Sequence, residues 1–419
     1  MDRVIFHIDV NSAFLSWEAV YRLHVLGDKK DLREIPCAVA GDVKKRHGII
    51  LAKSEPAKKY GVRTGDTISD AMKLCPKLEL VPPHYDLYET SSKAFMEILK
   101  EFSPCVEQYS IDEAFCDMTE TQYLYGSPVA AARMMKDRIK NELGFTVNIG
   151  ISSNKLLAKM ASDFQKPDKV HTLFLNEIEK KMWPLPVREL FFVGRATEKR
   201  LKYLGITTIG ELARTDVNIL KAHLKKHGEL IHDFANGIDV SMVASEAAPN
   251  KGYGNSTTIA FDVDNAKTAK LVLLALSETV STRLREGNVL ATVVAVDIVD
   301  CEFNRCSHQM TLFSGTNTTN DIYQAACKLF DELWEGAPIR HLGVHTSKVV
   351  DNTGMRQLNL FDMQKYEKLE KLDKAIDKIR DRYGADSVMR ASFVKSEIYH
   401  MTGGIPPEKR KVDYKDVKF

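Results

Sequence analysis

Asp9, Asp112 and Glu113 are the residues of this chain best placed to do chemistry. Asp9 closes an apolar run, RVIFHIDV (3–10), that reads as a buried strand. Asp112 and Glu113 lie in the tight turn of VEQYSIDEAFCDM (106–118), which reads as a hairpin. A charge at the end of a buried strand needs a reason to be there, because leaving it unpaired is costly. If these strands are neighbours in one sheet, their carboxylates converge. Three such groups repel one another unless a divalent cation lies among them. Hard ions such as Mg²⁺ take carboxylate oxygens together with substrate phosphates. Two of them can stabilise the attacking and leaving oxygens of an in-line phosphoryl displacement. An Asp-Glu pair alone is common in surface turns, so the weight falls on the apolar strands around it.

Several elements must bring these acids together. A helix over 12–25 follows the first strand. Two strand-like runs in 35–53 flank the basic turn DVKKRH. A helix over 128–143 opens on Pro128, followed by a strand over 145–151 and a helix over 153–164. The order β-α, insertion, β-β-α-β predicts an α+β fold with a ferredoxin-like split sheet. Residues 24–80 would form a small inserted lobe, leaving 1–23 and 81–165 for the sheet. Residues 166–240 read as a helical unit, and 241–252 as a linker. Residues 253–350 alternate again: strand 255–262, helix 266–287, strands 289–300 and 306–314, helix 319–335, strand 340–350. That is a second β-α-β-β-α-β unit, with no repeat of the first sequence. A tail, 351–419, contains a lysine-rich helix over 363–383.

Bulk properties exclude several classes. The 419 residues suggest about two to four domains. The 44% apolar content is ordinary for a globular chain, and no stretch approaches the ~20 apolar residues of a membrane span. The N-terminus runs straight into a strand without a signal-peptide pattern, which predicts a cytoplasmic protein. Seven scattered cysteines without a C-x-x-C argue against a disulfide framework or zinc site and for reduced, mostly buried thiols. The net charge of +2 does not announce a nucleic-acid binder, so local clusters matter more.

Three segments together carry a specific resemblance: HIDVNSAF (7–14), YSIDEAF (109–115) and GISSNKLLAKMASDFQKPD (150–168). They resemble the Y-family translesion DNA polymerases, nearest to the bacterial polymerase IV and polymerase V catalytic-subunit branches. The resemblance runs in order over about 1–350. It implies a right-hand polymerase with ferredoxin-like palm, small fingers, helical thumb and βαββαβ little finger. It implies metal binding by Asp9, Asp112, Glu113 and the backbone carbonyl of Val10, with two Mg²⁺ ions, or Mn²⁺ in their place. Phe14, five residues after Asp9, matches the aromatic steric gate that rejects a 2′-hydroxyl. Lys166 in K-P-D matches a triphosphate contact, and Lys58 matches a family arginine with the same task. Lysine there loses the bidentate fork. Glu55 stands where the family often has tyrosine, and Ser54 is a candidate substitute contact.

Residues 189–212 read as a helix-hairpin-helix, whose turn and following helix start would face a DNA phosphate. Gly194, Arg195, Lys199 and Arg200 are its candidate DNA contacts, of the kind that hold a duplex without reading sequence. In the little finger, Lys251, Arg283, Arg285, Arg305, Arg340 and Lys348 are candidate groove residues. QLNLFD (357–362) resembles the sliding-clamp peptide of bacterial replication proteins, with Gln357, Leu360 and Phe361 as anchors. The tail helix and the basic KRK (409–411) are candidate contacts to DNA or another partner.

The expected function is template-directed, error-prone translesion synthesis, with primer-template DNA, dNTP and sliding clamp as partners, no membrane, and a monomeric enzyme. Two alternatives use the same palm: a nucleotidyl cyclase, and a catalytically weak clamp-bound scaffold. The first has no use for the helix-hairpin-helix or clamp peptide. The intact three acids speak against the second.

Overall fold

The computed structural model describes residues 3–42, 48–246, 248–352 and 363–401, with side chains of the last stretch described from residue 367. The chain divides into two compact units, the first built mainly of Met1–Ala40 and Ile50–Ala247, the second mainly of Ala248–Lys411. The clamp-like peptide and KRK 409–411 lie outside the described residues.

In the first unit β1 (Ile5–Val10) is buried at every position, as its nearly unbroken apolar run requires. α1 (Ala13–His24) follows. An inserted lobe then holds β2 (Cys37–Ala40), β3 (Ile50–Lys53), the short helices α2 (Glu55–Lys59) and α3 (Ile68–Leu74), and β4 (Glu79–Val81). Its three strands form a sheet of order β3-β2-β4. The chain returns through α4 (Tyr85–Phe102), β5 (Val106–Gln108), β6 (Glu113–Asp117), α5 (Pro128–Leu143), β7 (Val147–Ser152), α6 (Lys155–Ser162) and β8 (Val170–Thr172).

The main sheet has order β5-β6-β1-β7-β8. β1 lies antiparallel between β6 and β7, the arrangement expected of a ferredoxin-like sheet. Helices α1, α4 and α5 cover one face through a core that includes Trp17, Phe95, Leu99, Met135 and Phe145. Gly150 allows α6 to close on β7: a Cβ there would lie 1.9 Å from the Ala158 carbonyl oxygen.

β8 was not expected. The sequence reading places residues 170–172 in the helical unit, yet they pair in parallel with β7. Three residues are too short to show a strand period. Helices α7 (Ile178–Lys181), α8 (Arg195–Tyr203), α9 (Ile209–Arg214), α10 (Val217–Leu224) and α11 (Lys226–Ala235) then pack around Leu190, Leu201, Leu212, Leu220 and Ile231. The first part of the linker is tied down. Val243 is buried with Ile5, Phe115 and Ala158, and the Ala244 N–H donates to Glu107.

The second unit is β9 (Gly252–Val263), α12 (Ala266–Glu286), β10 (Val289–Asp300), β11 (Arg305–Thr316), α13 (Thr319–Leu333) and β12 (Ile339–Asp351), then α14 (Met363–Tyr383). Its sheet has order β11-β10-β12-β9. Apolar positions of the strands meet α12 and α13 in one core, with Val272, Leu276, Val294, Phe330 and Val344.

The tail folds back on this unit. Arg285, 6% exposed, reaches Asp373 at 3.3 Å and also pairs with Asp377. Asp373 accepts the Thr319 N–H at 2.8 Å, at the start of α13. Glu278, buried on α12, binds Arg380 at 2.8 Å and Arg390 at 2.6 Å. Phe393 and Ile398 enter the core beyond these pairs. Arg285 is therefore a buried anchor of α14 and not a groove residue, while Lys368, Lys371, Lys374 and Lys378 of the tail helix stay exposed.

Removing one partner of a buried ion pair leaves an uncompensated charge. Arg285→Ala should cost about 3 kcal/mol or more in chemical denaturation and expose α14 to limited proteolysis. An unchanged denaturation midpoint and digestion pattern would show that the tail is held by other contacts.

Other little-finger candidates make local contacts of their own, though Arg305 stays 68% exposed. Arg283 donates to the Gly254 carbonyl, Arg305 to Asp297, and the Arg340 guanidinium lies 5.0 Å from the Phe303 ring centroid. All seven cysteines are unpaired, but Cys301 and Cys306 are exposed, so "mostly buried" holds for Cys37, Cys75 and Cys116 alone. The exposed two sit at the turn of the β10–β11 hairpin, Cys301 just after β10 and Cys306 near the start of β11.

Candidate active site

Antiparallel pairing of β1 with β6 sets Asp9 opposite Glu113. The hairpin turn delivers Asp112 beside them, where its carbonyl accepts the Val10 N–H at 3.0 Å. Ser110 donates to the Asp112 carboxylate at 2.7 Å, orienting it. A cleft of about 1160 Å³ brings together Asp9, Val10, Phe14, Ser54, Lys58, Asp112, Glu113 and Lys166, although they come from four separate stretches of sequence.

Each of two acids has a lysine of its own. Lys166 bonds to Asp9 and lies 2.9 Å from Asp163. Lys159 reaches Glu113 at 2.8 Å. Among the described residues no three acidic, histidine or cysteine side chains stand close enough to grip an ion as they are. The donor chemistry nevertheless suits a hard cation: carboxylates at one end of a sheet, one of them buried, beside a cleft. An incoming ion would exchange places with the lysines.

The two paired acids titrate far apart. Burial raises Asp9 to about 6, outweighing the favourable charge of Lys166. Burial also pushes on Glu113, but His7 and Lys159 beside it more than offset this and hold it at about 2. His7 itself is kept neutral chiefly by burial. Its Nδ1 meets the Ser162 hydroxyl at 2.8 Å, and that hydroxyl donates to the Lys159 carbonyl.

The signs follow from linkage. Glu113 has its folded value depressed, so its stabilisation is present above the ordinary carboxylate range and is lost as pH falls towards 2. Asp9 has its folded value raised, so its contribution is fully present below 3.8 and is lost as pH rises through about 6. A metal held by Asp9 would have to displace its proton. Affinity for Mn²⁺ should therefore rise with pH up to about 6, by at most about tenfold per unit, and then flatten. Calorimetric titration between pH 5 and 7.5 measures this, and a flat profile would remove Asp9 from the ligand set.

Phe14 stacks on Tyr88 with centroids 4.3 Å apart and planes at 13°. Tyr85 meets Phe14 edge-on at 6.3 Å. The Tyr88 hydroxyl donates to buried Glu18 at 2.7 Å, and His84 binds the same oxygen at 2.7 Å. The Phe14 ring thus faces the cleft with a hydrogen-bonded aromatic wall behind it. Tyr88 and Glu18 were not singled out from sequence, since an aromatic and an acid at helical spacing look like any amphipathic helix.

Ser54 is a correction. It is 2% exposed and its hydroxyl is fully engaged, donating to the Ile35 carbonyl and accepting from the Cys37 and Ala57 N–H groups. It caps α2 and has no donor left for a phosphate. Lys58 remains in the cleft wall, exposed and 3.4 Å from Glu55.

At the helix-hairpin-helix, Gly194 caps α8 and a Cβ there would meet nothing within 4 Å. Arg195, Lys199 and Arg200 are exposed along α8. Phe192, at φ +71°, and Tyr203, 89% exposed, were not foreseen beside them.

Comparison with known proteins agrees with this geometry. Residues 8–163 match the model of the impB/mucB/samB family, and residues 250–360 match that family's C-terminal domain. Residues 188–239 match the DNA polymerase-iota thumb domain. DNA polymerase IV of Clostridium acetobutylicum is 46% identical over 398 residues, 95% of this chain and 100% of its own. This chain belongs to the Y-family of DNA polymerases. DNA polymerase IV of Acetivibrio thermocellus is 38% identical over 94% of this chain and 98% of its own. A solved Y-family polymerase chimera, 22% identical, superimposes with a TM-score of 0.71 over 83% of this chain and 100% of its own, which shows the shared fold. The fold is that of a right-hand polymerase, α+β with a helical thumb.

Proposed function

We propose that this DNA-directed DNA polymerase of the translesion type works from the cleft that gathers Asp9, Asp112, Glu113, Phe14, Lys58 and Lys166, the observation that carries the reading. The primer 3′-hydroxyl attacks the α-phosphate of a dNTP and pyrophosphate leaves. Asp9, Asp112, Glu113 and the Val10 carbonyl would hold two Mg²⁺ ions, or Mn²⁺, which neutralise developing charge on the phosphate oxygens. Lys166 and Lys58 compensate the triphosphate. Phe14 closes the space a 2′-hydroxyl would need. Arg195, Lys199 and Arg200, presented by the turn at Gly194, bind phosphates of the primer-template duplex.

The inserted lobe is a three-stranded sheet with two short helices, a small surface with which to check a base pair. Tolerance of damaged templates and a raised error rate fit that economy. The enzyme acts as a monomer in the cytoplasm. No helix among the described residues is long and apolar enough to cross a membrane.

The test is primer extension by the full chain on undamaged templates and on templates with an abasic site, with Mg²⁺ and each dNTP. The expected result is template- and metal-dependent extension through the lesion. No extension on any template, with or without clamp, would favour a scaffold.

Gln357, Leu360 and Phe361 would tether the enzyme to the sliding clamp. Replacing Leu360 and Phe361 together by alanine should abolish clamp-stimulated extension, while clamp-free extension stays within about twofold, since a few anchors carry most of a peptide's affinity. Stimulation that survives this double change would place the clamp contact elsewhere.

A further inference from the structure

Lys166 stands on the short segment between α6 and β8, and two buried amides hold that segment from behind. Asn148 lies on β7 and is fully buried; Asn11 follows β1 and is 8% exposed. The Asn148 amide nitrogen donates to the carbonyls of Ser162 at 2.9 Å and Gln165 at 2.7 Å. Its oxygen accepts from the Lys169 N–H and from the Asn11 amide, both at 3.2 Å. The Asn11 oxygen accepts from the Asp168 N–H at 2.9 Å and the Thr146 hydroxyl at 3.0 Å. From α5, Lys136 and Lys140 bind the Asp168 carboxylate at 2.8 and 3.0 Å.

These contacts fall on Ser162, Gln165, Asp168 and Lys169. They bracket Lys166 on both sides and leave its side chain in the cleft. Asn148 uses both donors and both acceptor positions of its amide. An apolar residue would serve β7 as a strand equally well, as Val147 and Ile149 do. A buried amide is costly unless every bond is made, and a fully bonded network fixes one arrangement. Such rigidity matters where a charge must meet a phosphate, because displacement by about 1 Å can cost a hundredfold in rate.

We infer that the Asn11–Asn148 pair sets the position of the Lys166 ammonium for the incoming triphosphate, making Asn148 a positioning residue for dNTP binding. The inference rests on the reading of Lys166 as a triphosphate contact. Asn148 touches no substrate and acts through the backbone of residues 162–169.

The experiment measures dNTP affinity on a dideoxy-terminated primer-template, together with single-turnover incorporation, for the full chain and for Lys166→Ala, Asn148→Ala and the double variant. Asn148→Ser, smaller but still polar, stands in if Asn148→Ala melts below the assay temperature. Lys166→Ala should weaken dNTP binding about tenfold or more, the size of a lost charge-assisted contact. Asn148→Ala should weaken it about three- to tenfold while primer-template affinity stays within about twofold. The double variant should bind dNTP no more weakly than Lys166→Ala alone, because the two changes break one interaction. Unchanged dNTP affinity in both Asn148 variants, or losses that multiply in the double variant, would overturn the inference. Unchanged affinity in Lys166→Ala would overturn the role of Lys166 itself, and the inference with it.

Discussion

Asp112→Ala should lower single-nucleotide incorporation by about three orders of magnitude or more, with primer-template affinity within about threefold of the intact chain. A clamp of positive charge on phosphate oxygens is worth several kcal/mol, and each ~1.4 kcal/mol is tenfold in rate. Asp112 sits in the hairpin turn with its carboxylate steadied by Ser110, not in the core, so its loss removes chemistry and leaves the sheet intact. Rapid-quench measurement of dCTP incorporation, beside a melting curve, separates the two effects. Activity within about tenfold of the intact chain would mean that Asp112 does not hold a metal, since losing such a ligand should remove several kcal/mol.

Phe14→Val should raise ribonucleotide incorporation relative to deoxyribonucleotide by about a hundredfold. The ring is stacked on Tyr88, and Tyr88 is tied through Glu18 to His84, so Phe14 has no room to retreat from a 2′-hydroxyl. Forcing an atom into such a wall costs about 1–3 kcal/mol, the upper end of which is about a hundredfold. Valine keeps the β-carbon packing and opens the space. Incorporation of dCTP should fall by less than about tenfold, because a shortened side chain removes packing but no charge. The ratio of kcat/KM for rCTP and dCTP gives the answer. An unchanged ratio would place sugar selection in another residue.

The stacked wall behind Phe14 shows what sequence alone could not reveal. Phe14 was readable because its spacing from Asp9 fits a known pattern. Tyr88 comes from a helix beyond the inserted lobe, and only the fold sets it against the gate. The same division recurs elsewhere. Asp9 stands out as a charge ending an apolar strand and Asp112 and Glu113 as acids in a hairpin turn, and β1, β6 and β7 sit as the β-α-β-β-α-β order requires. The bounds of β10, 289–300, and of α14, 363–383, were legible from periodicity alone.

The misses share a cause. Ser54 carried a free hydroxyl in the sequence, and the fold spends it on a helix cap and the Ile35 carbonyl. Arg285 looked like a groove residue on an amphipathic helix until Asp373 and Asp377 came from the tail to cover it. Asn148 sits in FTVNIGI, where one polar residue in an apolar strand gives no hint of the four hydrogen bonds it makes. Periodicity reports how a residue faces its own element. It says nothing of a partner that arrives from a distant part of the chain.

On the function proposed above, Asp9 and Asp112 would hold a pair of divalent ions at the reacting phosphate. Anomalous scattering from Mn²⁺ tests it most directly, in crystals of the full chain with primer-template DNA and a non-hydrolysable dNTP. The expected result is two manganese peaks beside Asp9 and Asp112, with Lys166 released from Asp9 and turned to the triphosphate. Manganese absent from these acids while dNTP fills the cleft, or Lys166 still bonded to Asp9, would contradict it.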